Sequence, residues 1–151
     1  MNGTPDKLYL DDLHVGQRFV SGAMEVTAGE IRAFARQFDP QPFHLDEEDA
    51  KDTFFAALAA SGWHVAAITM RLLVDGGAPI AGGIVGAGGE IAWPKSTRPG
   101  DVLQVGSEVV EISPSKSRPN RGMVTVRSET RNQSGDIVQI LTAKLVVPRR
   151  A

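Results

Sequence analysis

The sequence predicts an α+β fold in which a curved antiparallel sheet wraps around one buried helix. Residues 62–74 are apolar on nearly every side of a helix, a pattern typical of a helix at the centre of a protein. Four later segments have the composition and alternation of strands, namely residues 84–93, 102–112, 123–132 and 137–147. A helix followed by a run of strands indicates an α+β fold, and we expect the strands to be antiparallel.

Turn-forming residues support these strand boundaries. Clusters rich in Gly, Pro, Asn or Ser lie at residues 99–101, 117–122 and 134–136, each between two predicted strands. The segment 123–132 alternates most cleanly, because Val124, Val126 and Ser128 lie on one face and polar residues on the other.

The amino-terminal half predicts a short strand and a capped helix. Residues 18–26 are the strand candidate. Thr27 and Glu30 then form a capping box, in which the Thr hydroxyl accepts from the backbone N–H of Glu30 and the Glu side chain reaches back. Apolar residues recur behind it at helical spacing, so we predict an amphipathic helix over residues 28–37.

The next segment predicts a stiff loop and a second short helix. Pro40 and Pro42 end the first helix and favour extended backbone around them. Asp46 is placed to cap a helix over residues 47–51. A curved sheet wrapped around one buried helix is called a hot-dog fold, and we predict a single domain of this kind over residues 1–151.

The composition excludes several classes of function. A hydrophobic fraction of 42% and a charged fraction of 23% are those of an ordinary globular protein. The net charge of -2 provides no basic footprint for nucleic acid or a membrane surface. The chain has no cysteine, which excludes disulfides and thiolate catalysis. Residues 1–12 lack the pattern of a secretory signal and no stretch is apolar enough to span a bilayer, so we expect a cytoplasmic protein.

The candidate catalytic pair is Asp39 and His44, five residues apart in the proline-stiffened loop. Hydration of a double bond conjugated to a thioester needs a base for the water and an acid for the α-carbon. An imidazole that titrates near neutral pH and a carboxylate supply that pair. Phe38, Phe43 and Phe54 would keep such a site dry if they surround the loop.

Gly62 is the third candidate catalytic residue, because the same chemistry needs a donor for the enolate oxygen. The first backbone N–H groups of a helix lack partners and lie at its positive end. Gly62 begins the central helix, and the absence of a side chain would allow a thioester to approach its amide closely.

Plainer interpretations of these polar residues stay open. Asp39 also fits the role of a turn residue before a proline. The acidic run at 46–49 is better explained as a first helical turn than as a metal cluster, so we predict no metal site. His14 is expected at the surface, and His64 is more typical of a packed histidine, although it stays a minor catalytic candidate.

Around these residues the sequence resembles the MaoC-like dehydratases, a family that includes the (R)-specific enoyl-CoA hydratases. The family signature reads approximately G-D-x-N-P-[apolar]-H, then five residues and a small residue. Asp39, Pro42, Phe43, His44 and Ala50 fall on its Asp, Pro, apolar, His and small positions. The resemblance extends over nearly the whole chain through Ser61-Gly62-Trp63, Trp93-Pro94, Arg98-Pro99-Gly100-Asp101 and the last hairpin at 122–147.

The resemblance implies a hot-dog homodimer or higher homo-oligomer that takes an acyl-CoA along its subunit interface and needs no cofactor. Asp39 and His44 would activate water and shuttle the proton, and Gly62 would donate to the thioester carbonyl. The implied reaction adds water to a 2-enoyl-CoA and yields a 3-hydroxyacyl-CoA of (R) configuration. Neither nucleic acid nor a membrane is expected as a partner.

The chain departs from the family pattern around the acyl site. Phe38 replaces the signature glycine, Gln41 replaces the asparagine, and Ser61 stands where hydratases usually carry histidine. The pair is intact but the pocket is altered, so chain length and acyl substituents stay open. The residues predicted to bind the substrate are Phe43, Ser61, Trp63, Met70 and Arg98, with Lys95, Lys116, Arg118 and Arg121 as further candidates for the phosphates of coenzyme A.

Two other functions stay open at this point. A hot-dog thioesterase typically carries its catalytic carboxylate on the central helix, and the absence of Asp and Glu from residues 62–74 weighs against it. A non-catalytic acyl-CoA-binding module is the other alternative, and the intact Asp39–His44 pair weighs against that one.

Overall fold

The computed structural model describes residues 7–151. The segment 1–12, in which no secretory signal was predicted, therefore lies partly outside the described residues. A 3₁₀ turn at Leu10–Asp12 comes first, and a π-helical turn at Leu73–Gly77 extends the central helix. The other elements are β1 (Arg18–Glu25), α1 (Ala28–Phe38), α2 (Pro42–Leu45), α3 (Glu47–Ala50), α4 (Gly62–Leu72), β2 (Val85–Ala92), β3 (Val102–Pro114), β4 (Arg121–Arg131) and β5 (Ile137–Pro148).

Within the described residues the five strands form one antiparallel sheet in the order β1-β3-β4-β5-β2. The predicted hot-dog arrangement is confirmed, including the burial of Val124, Val126 and Ser128 on the inner face of β4. β3, β4 and β5 pair with their neighbours along the chain, whereas β1 pairs with β3 and β2 pairs with β5 over longer sequence separations. As a result β2, the first strand after the central helix, lies at an edge of the sheet beside the last strand.

The core lies between α4 and the inner face of the sheet. Val65, Ile68 and Leu72 of the helix are buried against strand residues such as Leu103 and Val109. Full burial of one such side chain contributes about 1.5–3 kcal/mol relative to its exposure. This packing places the amino-terminal end of α4 at one end of the sheet, beside the loops that precede it.

The prediction that residues 62–74 are buried on nearly every side was wrong for one face of the helix. Trp63, Ala67, Met70 and Val74 are exposed, and their spacing places them on a single stripe. An apolar sequence shows that a helix prefers to be covered, but it does not show whether its own chain provides the cover on every face.

The helix caps match the prediction, and the loop around the two prolines matches it as far as Gln41, whose backbone is extended. Thr27 and Glu30 make the reciprocal bonds of the capping box, and Asp46 accepts from the first backbone N–H groups of α3. Pro42, however, begins the helical turn α2 and does not continue an extended loop. A proline suits this first position, because the backbone N–H that it lacks would have no helical partner there.

None of the helices in residues 7–151 combines the length and the apolar character needed to cross a membrane.

A buried chain of hydrogen bonds connects α4 with β4, β5 and the segment after β2. Thr69 and Thr130 join their hydroxyls at 2.7 Å, and the Gln139 amide donates to Thr69 at 3.1 Å. The Trp93 indole N–H in turn donates to the Gln139 carbonyl at 2.9 Å. Thr69, Thr130 and Gln139 are fully buried, so each bond replaces water that these groups have lost.

We predict that Thr69→Val lowers the free energy of unfolding by about 1–3 kcal/mol, because the Gln139 amide and the Thr130 hydroxyl would lose a buried partner. Thr97→Val is the matched control. Thr97 is similarly buried, but its hydroxyl has no hydrogen-bond partner among the described protein atoms, so removing that hydroxyl should be neutral or stabilising. Urea denaturation measures both variants, and equal effects would contradict the role of the hydrogen-bonded chain.

Candidate active site

A cavity of about 490 Å³ opens at the amino-terminal end of α4. Its walls come from the turn between α1 and α2, the loop before α4, the first turn of α4, the segment after β2, and β5. The lining residues are Asp39, Gln41, Phe43, His44, Phe54, Phe55, Ala60, Gly62, Trp63, Val65, Trp93, Pro94, Lys95, Ser96, Thr97 and Val138. The cavity therefore contains all three candidate catalytic residues and two of the five predicted substrate-binding residues.

The orientation of His44 determines which of its ring nitrogens can react. Nδ1 lies 2.6 Å from the backbone carbonyl oxygen of Ala59, and a carbonyl oxygen only accepts, so Nδ1 carries a proton. In the neutral ring Nε2 is then the unprotonated nitrogen, and it lies 3.4 Å from Oδ2 of Asp39. With His44 buried, this leaves a basic nitrogen and a carboxylate side by side on the wall of the cavity.

Asp39 follows the last residue of α1, and two hydrogen bonds orient its carboxylate. Ser61 donates to Oδ2 at 2.6 Å, and the Gln41 amide donates to Oδ1 at 2.5 Å. Burial by itself raises the pKa of Asp39, but the hydrogen bonds from Ser61 and Gln41 act in the opposite direction, and the pKa lies below its ordinary value. Asp39 is therefore ionised at neutral pH, with lone pairs free to accept from a water molecule.

Ser61 connects this pair to the start of α4. Its hydroxyl accepts from the backbone N–H of Trp63 as the helix N-cap while it donates to Asp39. Gly62 is the first residue of α4, so its N–H lacks a partner within the helix and lies at the positive end of the helix dipole.

Gly62 cannot be replaced by a larger residue without movement. A Cβ atom at this position would lie 2.6 Å from the Trp93 ring, far inside contact distance. The absence of a side chain therefore serves the close packing of Trp93, whereas the reason inferred from the sequence was the approach of a ligand.

Aromatic side chains form much of the cavity wall. Phe43 packs edge-on against the His44 ring at 4.5 Å and against Phe55 at 4.8 Å. Trp63 and Trp93 meet edge to face at 5.2 Å across the start of α4. These rings lower the local dielectric around the charged pair, which strengthens every interaction that the pair makes.

The other three predicted substrate-binding residues do not line this cavity. The Ser61 side chain faces Asp39, as described above, and Met70 lies two turns along α4 on its exposed stripe. The Arg98 guanidinium binds backbone carbonyl oxygens of the loop before α4. Lys95 does line the cavity, paired with Asp136 at its rim.

Lys116, Arg118 and Arg121 lie around the β3–β4 turn, at the other end of the sheet from the cavity. β3 starts beside the cavity and its 13 residues span roughly 40 Å at about 3.3 Å per residue. Within one chain, these three residues are therefore too far from His44 to contact the same part of a bound ligand.

Sequence reasoning missed the Ala59 carbonyl, Thr97 and Val138. The carbonyl belongs to a backbone position whose side chain carries no chemistry, and Val138 reaches the cavity from β5, about a hundred residues after Asp39. No local pattern marks either. For Thr97, the clue was its position beside the Arg98-Pro99-Gly100-Asp101 turn.

The other two histidines are structural or exposed. His14 is exposed, as predicted. His64 stacks on Phe34 at 4.8 Å, and burial lowers its pKa while Glu30 offsets part of that effect. His64 does not line the cavity. Among residues 7–151 no cluster of three or more His, Asp or Glu side chains is arranged to hold a metal ion.

The fold and this site define a hot-dog protein with a paired carboxylate and imidazole at the start of its central helix. Residues 13–141 match the family model described as FAS1-like, dehydratase domain region. A MaoC-like dehydratase from Rhodospirillum rubrum is 60% identical, with a TM-score of 0.94 over 95% of this chain and 99% of that chain. The chain therefore belongs to the MaoC-like dehydratase family.

Two more distant relatives also match most of this chain. The unliganded R-hydratase PhaJ1 from Pseudomonas aeruginosa is 25% identical, with a TM-score of 0.73 over 95% of this chain and 88% of that chain. The uncharacterized protein YdeM from Bacillus subtilis (strain 168) is 35% identical over 127 residues, which cover 82% of this chain and 87% of that protein.

We predict that Ser61→Ala raises the pKa of Asp39, because the variant loses a hydrogen bond to the ionised carboxylate. A depressed pKa stabilises the fold at pH values above the pKa of the unfolded chain, and that contribution disappears as the pH falls through the folded pKa. The destabilisation by Ser61→Ala should therefore be larger at neutral pH than at a pH where Asp39 is protonated. The loss of the N-cap hydrogen bond adds about 1 kcal/mol of destabilisation at both pH values.

A ¹³C NMR titration of the Asp39 carboxyl measures this shift directly. Ser107→Ala is the control, since Ser107 is also buried and hydrogen-bonded but its partner is Ser128. If Asp39 titrates at the same pH in the parent and in Ser61→Ala, the Ser61 hydroxyl does not hold the carboxylate in its ionised form.

Proposed function

We propose that this protein is a hydro-lyase that adds water to a 2-enoyl-CoA and forms a 3-hydroxyacyl-CoA, with the (R) configuration as the family resemblance implies. The observation that supports the reaction most directly is the orientation of His44. Its Nδ1–H is held by the Ala59 carbonyl, and its basic Nε2 faces Asp39 in a cavity that Gly62 also lines.

In this proposal Asp39 and His44 hold one water molecule between them. Nε2 of His44 accepts a proton from the water as its oxygen bonds to C3 of the enoyl group, and Asp39 accepts the hydrogen bond from the second water proton. The electron pair of the double bond moves towards the thioester and forms an enolate. The imidazolium then returns its proton to C2, so that H and OH have been added and His44 is neutral again.

Gly62 would bind the enolate oxygen. Its N–H lies at the start of an 11-residue helix, where the helix dipole favours negative charge. A preorganised backbone donor of this kind is worth about 2.7–4 kcal/mol in the transition state of acyl chemistry. The proposed steps are redox-neutral, and each charge that develops is stabilised by Asp39, His44 or Gly62. The proposal therefore includes no cofactor.

The acyl group would lie against the aromatic walls. Phe43 and Trp63, both predicted to bind the substrate, flank the candidate catalytic residues, and Trp93 covers the start of α4 between them. The Phe43 ring offers no hydrogen bond to the water, and the indole N–H of Trp93 is already bonded to Gln139. The pantetheine arm of coenzyme A would enter through the open side of the cavity.

We also propose that the active form is a homodimer. The exposed stripe of α4 starts at Trp63, which packs at 5.2 Å on Trp93, the residue directly after the edge strand β2. From Gly86 to Gly89 the strand carries only small residues, so its unpaired backbone groups are open to another strand. A second copy would pair with β2 and cover Trp63, Met70 and Val74.

A thioesterase is disfavoured by the position of the acidic residues. Asp75, in the turn after α4, lies at the opposite end of the helix from the cavity and pairs with Arg71. The assay below nevertheless measures hydrolysis, because the release of free coenzyme A distinguishes the two reactions.

We predict that the parent protein hydrates one or more of a panel of short, medium and branched 2-enoyl-CoAs, measured by the loss of the absorbance of the conjugated thioester. Asp39→Asn and His44→Gln should each lower kcat by about 10²–10⁴-fold, because each removes a group that binds or deprotonates the water. Asp49→Asn and His14→Gln are matched controls at exposed positions and should retain the parent rate.

Rates of Asp39→Asn and His44→Gln equal to the parent rate would refute the proposed chemistry. Release of free coenzyme A without hydration would identify a thioesterase instead. Tight binding of enoyl-CoA without turnover by the parent would identify a binding module.

We predict that Met70→Glu converts the dimer to a monomer, because a second copy would have to bury the new charge without a partner. Val20→Glu is the control, since Val20 is an exposed apolar residue on β1, the strand at the other edge of the sheet. Sedimentation velocity compares the two variants with the parent. A monomeric parent, or a dimeric Met70→Glu variant, would show that the α4 stripe is not the interface.

A further inference from the structure

We propose that Arg98 is a positioning residue that fixes the ring of His44 through the loop before α4, and that it does not act as a phosphate contact. The inference rests on the proposed function, because it assigns Arg98 a part in the same proton transfer. It starts from the three hydrogen bonds of the guanidinium, all of which go to backbone carbonyl oxygens of one short loop.

Arg98 binds carbonyls on both sides of a strained residue. Its Nη2 donates to Phe55 at 2.7 Å, and its Nη1 donates to Ala57 at 2.8 Å and to Leu58 at 3.3 Å. Between them lies Ala56 with a φ of 60°, a left-handed conformation that a residue with a Cβ adopts only when its surroundings impose it. The planar guanidinium, with several donors in a fixed plane, provides such surroundings.

The next residue of this loop is the one that determines the tautomer of His44. Ala59 presents its carbonyl to Nδ1 of His44, and its own N–H donates to the Phe43 carbonyl at 3.0 Å. Ala59 is fully buried and directly follows Leu58, so a displacement of the Arg98-bound carbonyls moves the acceptor that keeps the proton on Nδ1.

Arg98 is itself held in place from the other side. Its backbone N–H donates to Asp101 at 2.8 Å, and the Gln133 amide donates to the second oxygen of that carboxylate at 3.0 Å. Asp101 is buried. The guanidinium therefore connects a turn anchored on the sheet with the loop that carries the Ala59 carbonyl.

Without this connection, the neutral His44 ring can place its proton on Nε2 instead. That nitrogen then has no lone pair to accept the proton of the water, so the defect appears in kcat and leaves KM nearly unchanged. A phosphate contact would behave differently, because its loss weakens binding of the nucleotide part and raises KM.

The experiment compares Arg98→Met and Arg98→Lys with the parent, using an enoyl-CoA and the corresponding enoyl-pantetheine, which lacks the nucleotide and its phosphates. We expect both variants to lose tenfold or more in kcat, an order of magnitude typical of misplaced catalytic groups, and by the same factor on both substrates. Lys should not rescue, because one ammonium group cannot span three carbonyl oxygens. Arg18→Met, which removes an exposed arginine paired with Glu108 on the sheet, is the control.

A second readout does not depend on turnover. ¹⁵N NMR of the His44 ring, assigned with the His44→Gln variant, should show the proton on Nδ1 in the parent and a substantial Nε2–H population in Arg98→Met. If Arg98→Met is too unstable to purify, Ala56→Gly in the same chain relieves the left-handed strain and should restore folding without restoring the tautomer.

Two results would overturn the proposal. One is an unchanged His44 tautomer together with an unchanged kcat in Arg98→Met. The other is a defect confined to the CoA substrate and rescued by Lys, which would identify a phosphate contact. A parent without hydratase activity refutes the proposed function alone, because the NMR comparison still tests whether Arg98 holds the ring.

Discussion

The packing of α4 against the inner face of the sheet is the constraint on which the rest of the molecule depends. It buries Val65, Ile68 and Leu72 and directs the start of the helix towards the end of the sheet where the cavity opens. Because α4 is held along its length, its first N–H groups and the Ser61 cap have fixed positions. The candidate site is built on that fixed end, and the long loops around it are tied to it by hydrogen bonds.

Those hydrogen bonds join residues that are distant in sequence. Ser61 reaches Asp39 across 22 positions, and His44 reaches the Ala59 carbonyl across 15. Each bond has a consequence for chemistry: the first contributes to keeping Asp39 ionised, and the second leaves Nε2 of His44 free to accept a proton. Ser61, at the position predicted to be histidine in hydratases, is therefore a direct hydrogen-bond partner of the Asp39 carboxylate.

The surface of the chain also carries an apolar stripe on α4 that the chain itself does not cover. Trp63, Met70 and Val74 remain exposed, and Trp63 packs on Trp93 directly after β2, an edge strand whose residues 86–89 are all small. A cover over these apolar groups would stabilise the molecule. Trp63 belongs both to this stripe and to the cavity wall, so the assembly that we propose and the acyl site would share a boundary. That arrangement would make the shape of the acyl site sensitive to the partner copy.

The sequence by itself determined the features that depend on neighbours along the chain. Periodicity and breakers located the strands and α4 to within a few residues, and the Thr27–Glu30 and Asp46 caps followed from hydrogen-bonding rules. The chemistry of the residue types, supported by the family resemblance, led to Asp39, His44 and Gly62. Only the tertiary structure decided the strand order, the exposed face of α4, and the surroundings of Ser61, Met70 and Arg98, which the sequence had grouped as substrate contacts. These features depend on backbone carbonyls and on partners tens of residues away. Such contacts leave no pattern in the local sequence, because every residue has the same backbone carbonyl and only the fold determines which group lies opposite it.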